Sequence, residues 1–121
     1  MSDIITFEQD GLVIRVTLID RTAQISWRGT SDIRNPDQML SPFLRNLVKD
    51  LKNRETVIDF TLFEYMNSAT LSPLMHFIKD LDSAKIKTVL VFSNAREWQR
   101  VTYRCMKAIA RTLSHLSVES R

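Results

Sequence analysis

Ser68 stands in the run Met66-Asn67-Ser68-Ala69-Thr70, between a short apolar stretch and an amphipathic one. A hydroxyl at a strand-to-helix step can cap the helix, act as a nucleophile or accept a phosphate. The nucleophile needs a base, and the sequence offers no catalytic constellation: His76 has no serine or cysteine at a recognisable triad spacing. As a cap, Ser68 satisfies backbone N–H groups left free in the first helical turn, the ordinary role of a serine there. As an acceptor, it would hold a phosphate against those same N–H groups and the positive end of the helix dipole. Such a phosphate adds about −1.5 to −2 of charge, enough to repel a partner from a binding surface. Residue types alone leave cap and acceptor both open.

Other side chains offer less chemistry. Asp59 interrupts an apolar run and is either a strand-end surface residue or the orienter of nearby loop groups. Glu64 follows it, but the two make no acid–base pair. The one cysteine, Cys105, excludes an internal disulfide and is expected to be a small core residue. Neither histidine has a second ligand at metal spacing, and no cofactor is expected. Arg96, Arg100, Arg104, Lys107 and Arg111 recur every three or four residues, which puts them on one stripe of a helix. That stripe is a solvated outer face or a candidate surface for an acidic protein partner. With only Tyr103 near it, base stacking has no support, so nucleic acid is not expected.

Composition narrows the class. Of 121 residues, 44% are apolar and 26% charged, the balance of one ordinary globular domain with its own core. Two glycines are too few for a glycine-rich phosphate loop, which argues against most nucleotide-binding enzymes. A net charge of +3 permits an acidic partner without demanding a polyanion. The acidic start, Met1-Ser2-Asp3, and the lack of a long apolar run give no signal peptide or membrane span, so a cytoplasmic location is expected.

The elements that must position Ser68 follow from periodicity. Residues 4–8 suit a short strand ended by Asp10-Gly11. Leu12, Ile14, Val16 and Leu18, then Ala23, Ile25 and Trp27, alternate as two half-buried strands joined antiparallel across Asp20-Arg21. After a polar loop over 30–40, Ser41 is expected to cap a helix with Pro42 first inside it, and Leu44, Leu47, Val48 and Leu51 on one face. Thr56 to Phe63 forms one apolar run. Leu71, Leu74, Met75, Ile78 and Leu81 trace a second helix, expected to begin near Ala69 or Thr70 because Pro73 cannot lie deep inside it; a start at Ser72 is the alternative. Thr88 to Phe92 is a strand buried on both faces. Asn94 and Glu97 resemble a capping box for a third helix over 95–112, with Val101, Cys105 and Ile109 toward the core, and 116–118 suit a terminal strand. The alternation of strand and helix implies parallel pairing by right-handed crossovers.

The stretch from Asp59 to Ser72 resembles a STAS domain, the fold of the bacterial anti-sigma-factor antagonists. Those proteins carry an apolar strand ending in aspartate and, eight residues on, a D-S-[ST]-G-L-G step opening a helix. Val57-Ile58-Asp59-Phe60-Thr61 matches the strand, and Asn67 follows Asp59 by eight residues. Thr88 to Asn94 is similar to the family's closing strand and loop. The likeness in order of elements covers about 12–112, within a single domain over 1–121. It implies an α/β fold: a mixed sheet of four to six strands with an N-terminal antiparallel hairpin and about three helices.

The resemblance also implies a non-enzymatic partner switch with Ser68 as phosphoacceptor and Thr70 as a second candidate. A GHKL-type serine kinase, which is also the anti-sigma factor, would add the phosphate and a PP2C-type phosphatase would remove it. Glu64, Tyr65, Met66, Asn67, Ala69, Thr70 and Ser72 fall on the partner-binding surface. Asn67 stands where the family has aspartate, and Thr70 and Ser72 where it has glycine. Tyr65-Met66-Asn67-Ser68 resembles the single-domain regulators that bind diguanylate cyclases, so such a cyclase is a further candidate partner. A constitutive scaffold, with Ser68 merely a cap, is the alternative, and a homodimer stays open.

Overall fold

The computed structural model describes residues 2–121. Its chain order is β1 (Ser2–Gln9), β2 (Leu12–Ile19), β3 (Thr22–Ser31), α1 (Leu40–Leu51), β4 (Glu55–Asp59), β5 (Phe63–Met66), α2 (Ser68–Ser83), β6 (Thr88–Phe92), α3 (Glu97–Ala110) and β7 (Leu116–Ser120). The sheet runs β1-β2-β3-β4-β6-β7, with β5 paired to β3 off that path. β1, β2 and β3 are antiparallel, and every later pairing is parallel. The mixed α/β sheet with its N-terminal hairpin and three helices is as expected, but it has seven strands rather than four to six.

The additional strand is β5. The run Thr56 to Phe63 is not one element: Phe63 N–H turns back to the Phe60 carbonyl at 2.9 Å, and Asp59 Oδ1 accepts from Thr61 N–H at 2.8 Å. Asp59 is thus the orienter of its loop. Apolar residues on both sides of this turn hide it from a periodicity argument. β5 finds its partner because β3 bends: its register shifts between Gly29 and Thr30, and the far half pairs with Phe63–Met66. Gly29, at φ 78, is required there, since a Cβ would collide with the Gly11 carbonyl.

Right-handed crossovers carry α1, α2 and α3 to the same face of the sheet. That face holds Leu12, Ile14, Val16, Ala23, Ile25, Trp27, Ile58 and Leu90, all buried against Leu44 and Leu47 of α1 and Leu74, Phe77 and Ile78 of α2. Arg15, Gln24, Arg28 and Glu119 are exposed on the opposite face. Phe60 and Phe92 stack at 4.9 Å under β5, and Phe63 meets Trp98 edge-on at 5.7 Å.

Three helix starts differ from expectation. α1 begins at Leu40 after Met39, without a side-chain cap. Ser41 N–H instead bonds the Pro36 carbonyl at 2.9 Å, and Pro42 lies third, still within the turn where a missing N–H costs nothing. α3 begins at Glu97 and ends at Ala110; Asn94 does not cap it, because its side chain bonds Ser120 in β7. α2 begins at Ser68, one residue before the expected range, and Pro73 is accommodated inside it, buried. The cap is Asn67.

Candidate functional site

The parallel strands present their C-terminal ends on the side where β5 leads into α2, and there the polar step sits. Asn67 has extended backbone angles, φ −78 and ψ 167, and its side chain accepts from Thr70 N–H at 3.1 Å. This is an N-cap formed by the residue before Ser68. Ser68 is therefore the first helical residue, exposed, and among the described residues its hydroxyl has no hydrogen-bond partner. Asn67 N–H bonds the Ser31 carbonyl at 3.0 Å, while the cap takes up Thr70 N–H. The N–H groups of Ser68 and Ala69 remain at the helix end, on the same turn as the free hydroxyl.

Thr70 differs from Ser68 in every respect that matters for modification. It is 0% exposed, and its hydroxyl lies 2.6 Å from Asn67 Oδ1 and 2.7 Å from Ser31 Oγ. The two candidate acceptors are thus one open hydroxyl and one held inside the fold.

Beside Ser68 an apolar groove of about 610 Å³ runs between α2 and α3. Leu71 and Met75 form one wall, Val101, Cys105 and Ile109 the other, and Asn67 and Ser68 stand at its end. Val101, Cys105 and Ile109 do share one helical face, and Ile109 packs against the core as expected, but Val101, 53% exposed, and Cys105, also exposed, face the groove instead. α3 is anchored instead through Met106 and Gln99, both buried. Gln99 Nε2 donates to the carbonyls of Phe60 and Phe63 at 2.6 and 2.8 Å, and Gln99 Oε1 accepts from Ser93 N–H at 2.7 Å. One glutamine thus ties α3 to the turn that carries β5 toward Ser68. Nothing in its sequence neighbours signals this, since the two carbonyls it holds lie 39 and 36 residues away.

The remaining sequence candidates divide. Glu64, Tyr65 and Ser72 are exposed around the step, Met66 and Ala69 half-buried. The basic stripe lies on α3 outside the groove lining. Arg96 Nε donates to the Thr61 carbonyl at 3.4 Å, Arg100 Nη1 to the Asn94 carbonyl at 2.8 Å, and Lys107 Nζ to Tyr103 Oη at 3.0 Å. Arg104 and Arg111 are exposed. His76 is exposed on α2, and His115 Nδ1 lies 3.4 Å from Asp82 Oδ1 at the start of β7. Among the described residues, no group of three histidine, cysteine or acidic side chains could hold a metal ion, and no helix is long and apolar enough to cross a membrane.

No family model and no curated protein matches the chain. Solved structures do. An anti-sigma factor antagonist from Mycobacterium paratuberculosis superposes with a TM-score of 0.54 at 16% identity, over 96% of this chain and 85% of that one. The structure of the diguanylate cyclase SiaD in complex with its activator SiaC, from Pseudomonas aeruginosa, contains a match with a TM-score of 0.64 at 12% identity, over 97% of this chain and 99% of that one. At such identities the likeness is one of fold. Along nearly its whole length, this chain has the STAS-like fold common to an anti-sigma factor antagonist and SiaC.

Proposed function

We propose that the chain is a non-enzymatic, regulatory protein-binding module whose partner choice is switched by phosphorylation of Ser68. The observation that carries this reading is the open Ser68 hydroxyl at the end of an apolar groove, beside a cap that Asn67 already supplies. A serine needed as the cap would have that bond as its reason to be there. Ser68 does not. A regulatory protein-binding role is also what the two structural neighbours have in common.

The partner surface in this reading is the step from Glu64 to Ser72 together with the groove walls. Leu71 and Val101, exposed at 39% and 53%, supply the apolar contact. A phosphate on Ser68 sets roughly two negative charges at the mouth of that surface, where a docked apolar segment would have to desolvate them. The unmodified form binds and the modified form releases. A GHKL-type kinase adds the phosphate and a PP2C-type phosphatase removes it. The structure containing SiaD and its activator SiaC favours a diguanylate cyclase as the regulated partner, with an anti-sigma factor as the second candidate. Thr70, buried and doubly bonded, is set aside as acceptor.

Co-expression with any GHKL-type kinase encoded near this chain, followed by phosphopeptide mass spectrometry, tests the reading. Phosphate on Ser68 supports it. Unmodified Ser68, with partner binding unchanged in Ser68→Asp, makes the chain a constitutive scaffold instead.

A further inference from the structure

The atoms around Asn67 specify a carboxamide. Thr70 N–H can only donate, so the Asn67 atom 3.1 Å from it is the oxygen; the Ile33 carbonyl can only accept, so the atom 3.0 Å from it is Nδ2. The Thr70 hydroxyl spends its one proton on Asn67 Oδ1 at 2.6 Å, which makes Ser31 Oγ the donor in the 2.7 Å contact with Thr70. A directed chain results: Ser31 to Thr70 to Asn67, then Asn67 to Ile33. Ser31, Ile33 and Thr70 are all buried. A carboxylate at position 67 could still cap α2, because aspartate and asparagine are equal N-caps, but it has no proton for Ile33.

We propose that Asn67 is the positioning residue of the acceptor turn, and that its carboxamide couples Ser68 to the loop 32–39 through the Ile33 carbonyl. The inference rests on Ser68 being the modified residue. A phosphate on Ser68 competes with Asn67 Oδ1 for the N–H groups of the first turn, that of Thr70 among them. Displacing that bond turns the carboxamide, and its Nδ2 pulls on Ile33. The loop 32–39 leads into α1, so the switch reaches a surface that the groove does not include. The asparagine that departs from the aspartate of the resembling family is, on this view, the donor that joins acceptor and loop.

The test is ¹⁵N–¹H NMR on the full chain, unmodified and with phosphoserine incorporated at position 68, each in the native background and in Asn67→Asp. Installing the phosphate directly makes the outcome independent of any kinase, so failure here leaves the Ser68 switch itself untouched. The expected result is that phosphate shifts the amides of 32–39 together with those of 67–72. Asn67→Asp at pH 7 should shift the loop by itself, and phosphate should then add nothing to it. Acidification through the carboxyl range, near pH 4, should bring the variant's loop signals back to those of the native chain at the same pH, a reference that cancels the titration of Asp32 and Asp37 within the loop, as the protonated carboxyl regains a donor. Should Asn67→Asp not fold, Thr70→Val removes one of the two donors to Asn67 Oδ1 and should move the same loop amides. Phosphate shifts confined to 67–72, or a loop indifferent to these substitutions, overturn the proposal.

Discussion

Asn67 Oδ1 accepts both the backbone N–H and the hydroxyl of Thr70, at 3.1 and 2.6 Å, and so leaves the residue between them, Ser68, without a structural task. Two hydroxyl residues two positions apart therefore differ sharply in what they contribute. Ser68→Ala should change stability by no more than about 0.5 kcal/mol, as for an exposed side chain without partners. Thr70→Ala should cost about 1–3 kcal/mol, because it orphans the buried Ser31 hydroxyl and removes a donor from Asn67. Urea denaturation of the two variants checks the contrast.

The Gln99 side chain is the bolt between α3 and the turn before β5. Gln99→Leu keeps the volume but removes the donor to the Phe63 carbonyl and the acceptor of the Ser93 N–H, while the Phe60 carbonyl keeps its bond from Phe63 N–H, and should cost about 1–3 kcal/mol. A fall in the thermal midpoint with faster amide exchange at Phe63 is the expected outcome.

A charge in the groove should separate binding from folding. Val101→Glu and Leu71→Glu replace exposed side chains, so stability should stay within about 1 kcal/mol. Partner affinity, measured by calorimetry, should fall at least about tenfold, corresponding to about 1.4 kcal/mol.

The basic stripe gives a further expectation. Reversing Arg100 and Arg104 to Glu should weaken an acidic protein partner, more so at low salt than at high. Binding that is indifferent to both substitutions assigns the stripe to solvent, in line with the internal bonds that Arg96, Arg100 and Lys107 already make.

Much of the scaffold was legible from side-chain period. Leu12 to Leu18 and Ala23 to Trp27 alternate because one sheet face is buried and the other is wet, and both strands lie where that pattern puts them. β5 was illegible because Phe60 and Phe63 are both buried, so the turn between them interrupts no apolar run. Val101 and Cys105 illustrate a second limit. Period tells which residues share a face, but what the face meets depends on how far α2 stands from α3. At the step, asparagine and serine are equally good caps, so only coordinates could assign the cap to Asn67 and free Ser68. Gln99 needed the fold as well, since a polar residue is recognised as buried only through partners remote in sequence.

The central claim is that Ser68 receives the phosphate that decides partner binding. Its most direct measurement is site mapping by mass spectrometry after incubation with a candidate GHKL-type serine kinase, with partner affinity titrated on the same samples. The account predicts phosphate on Ser68, none on Thr70, and loss of binding in step with modification. Phosphate on Thr70 instead, or full modification of Ser68 with undiminished binding, would contradict it.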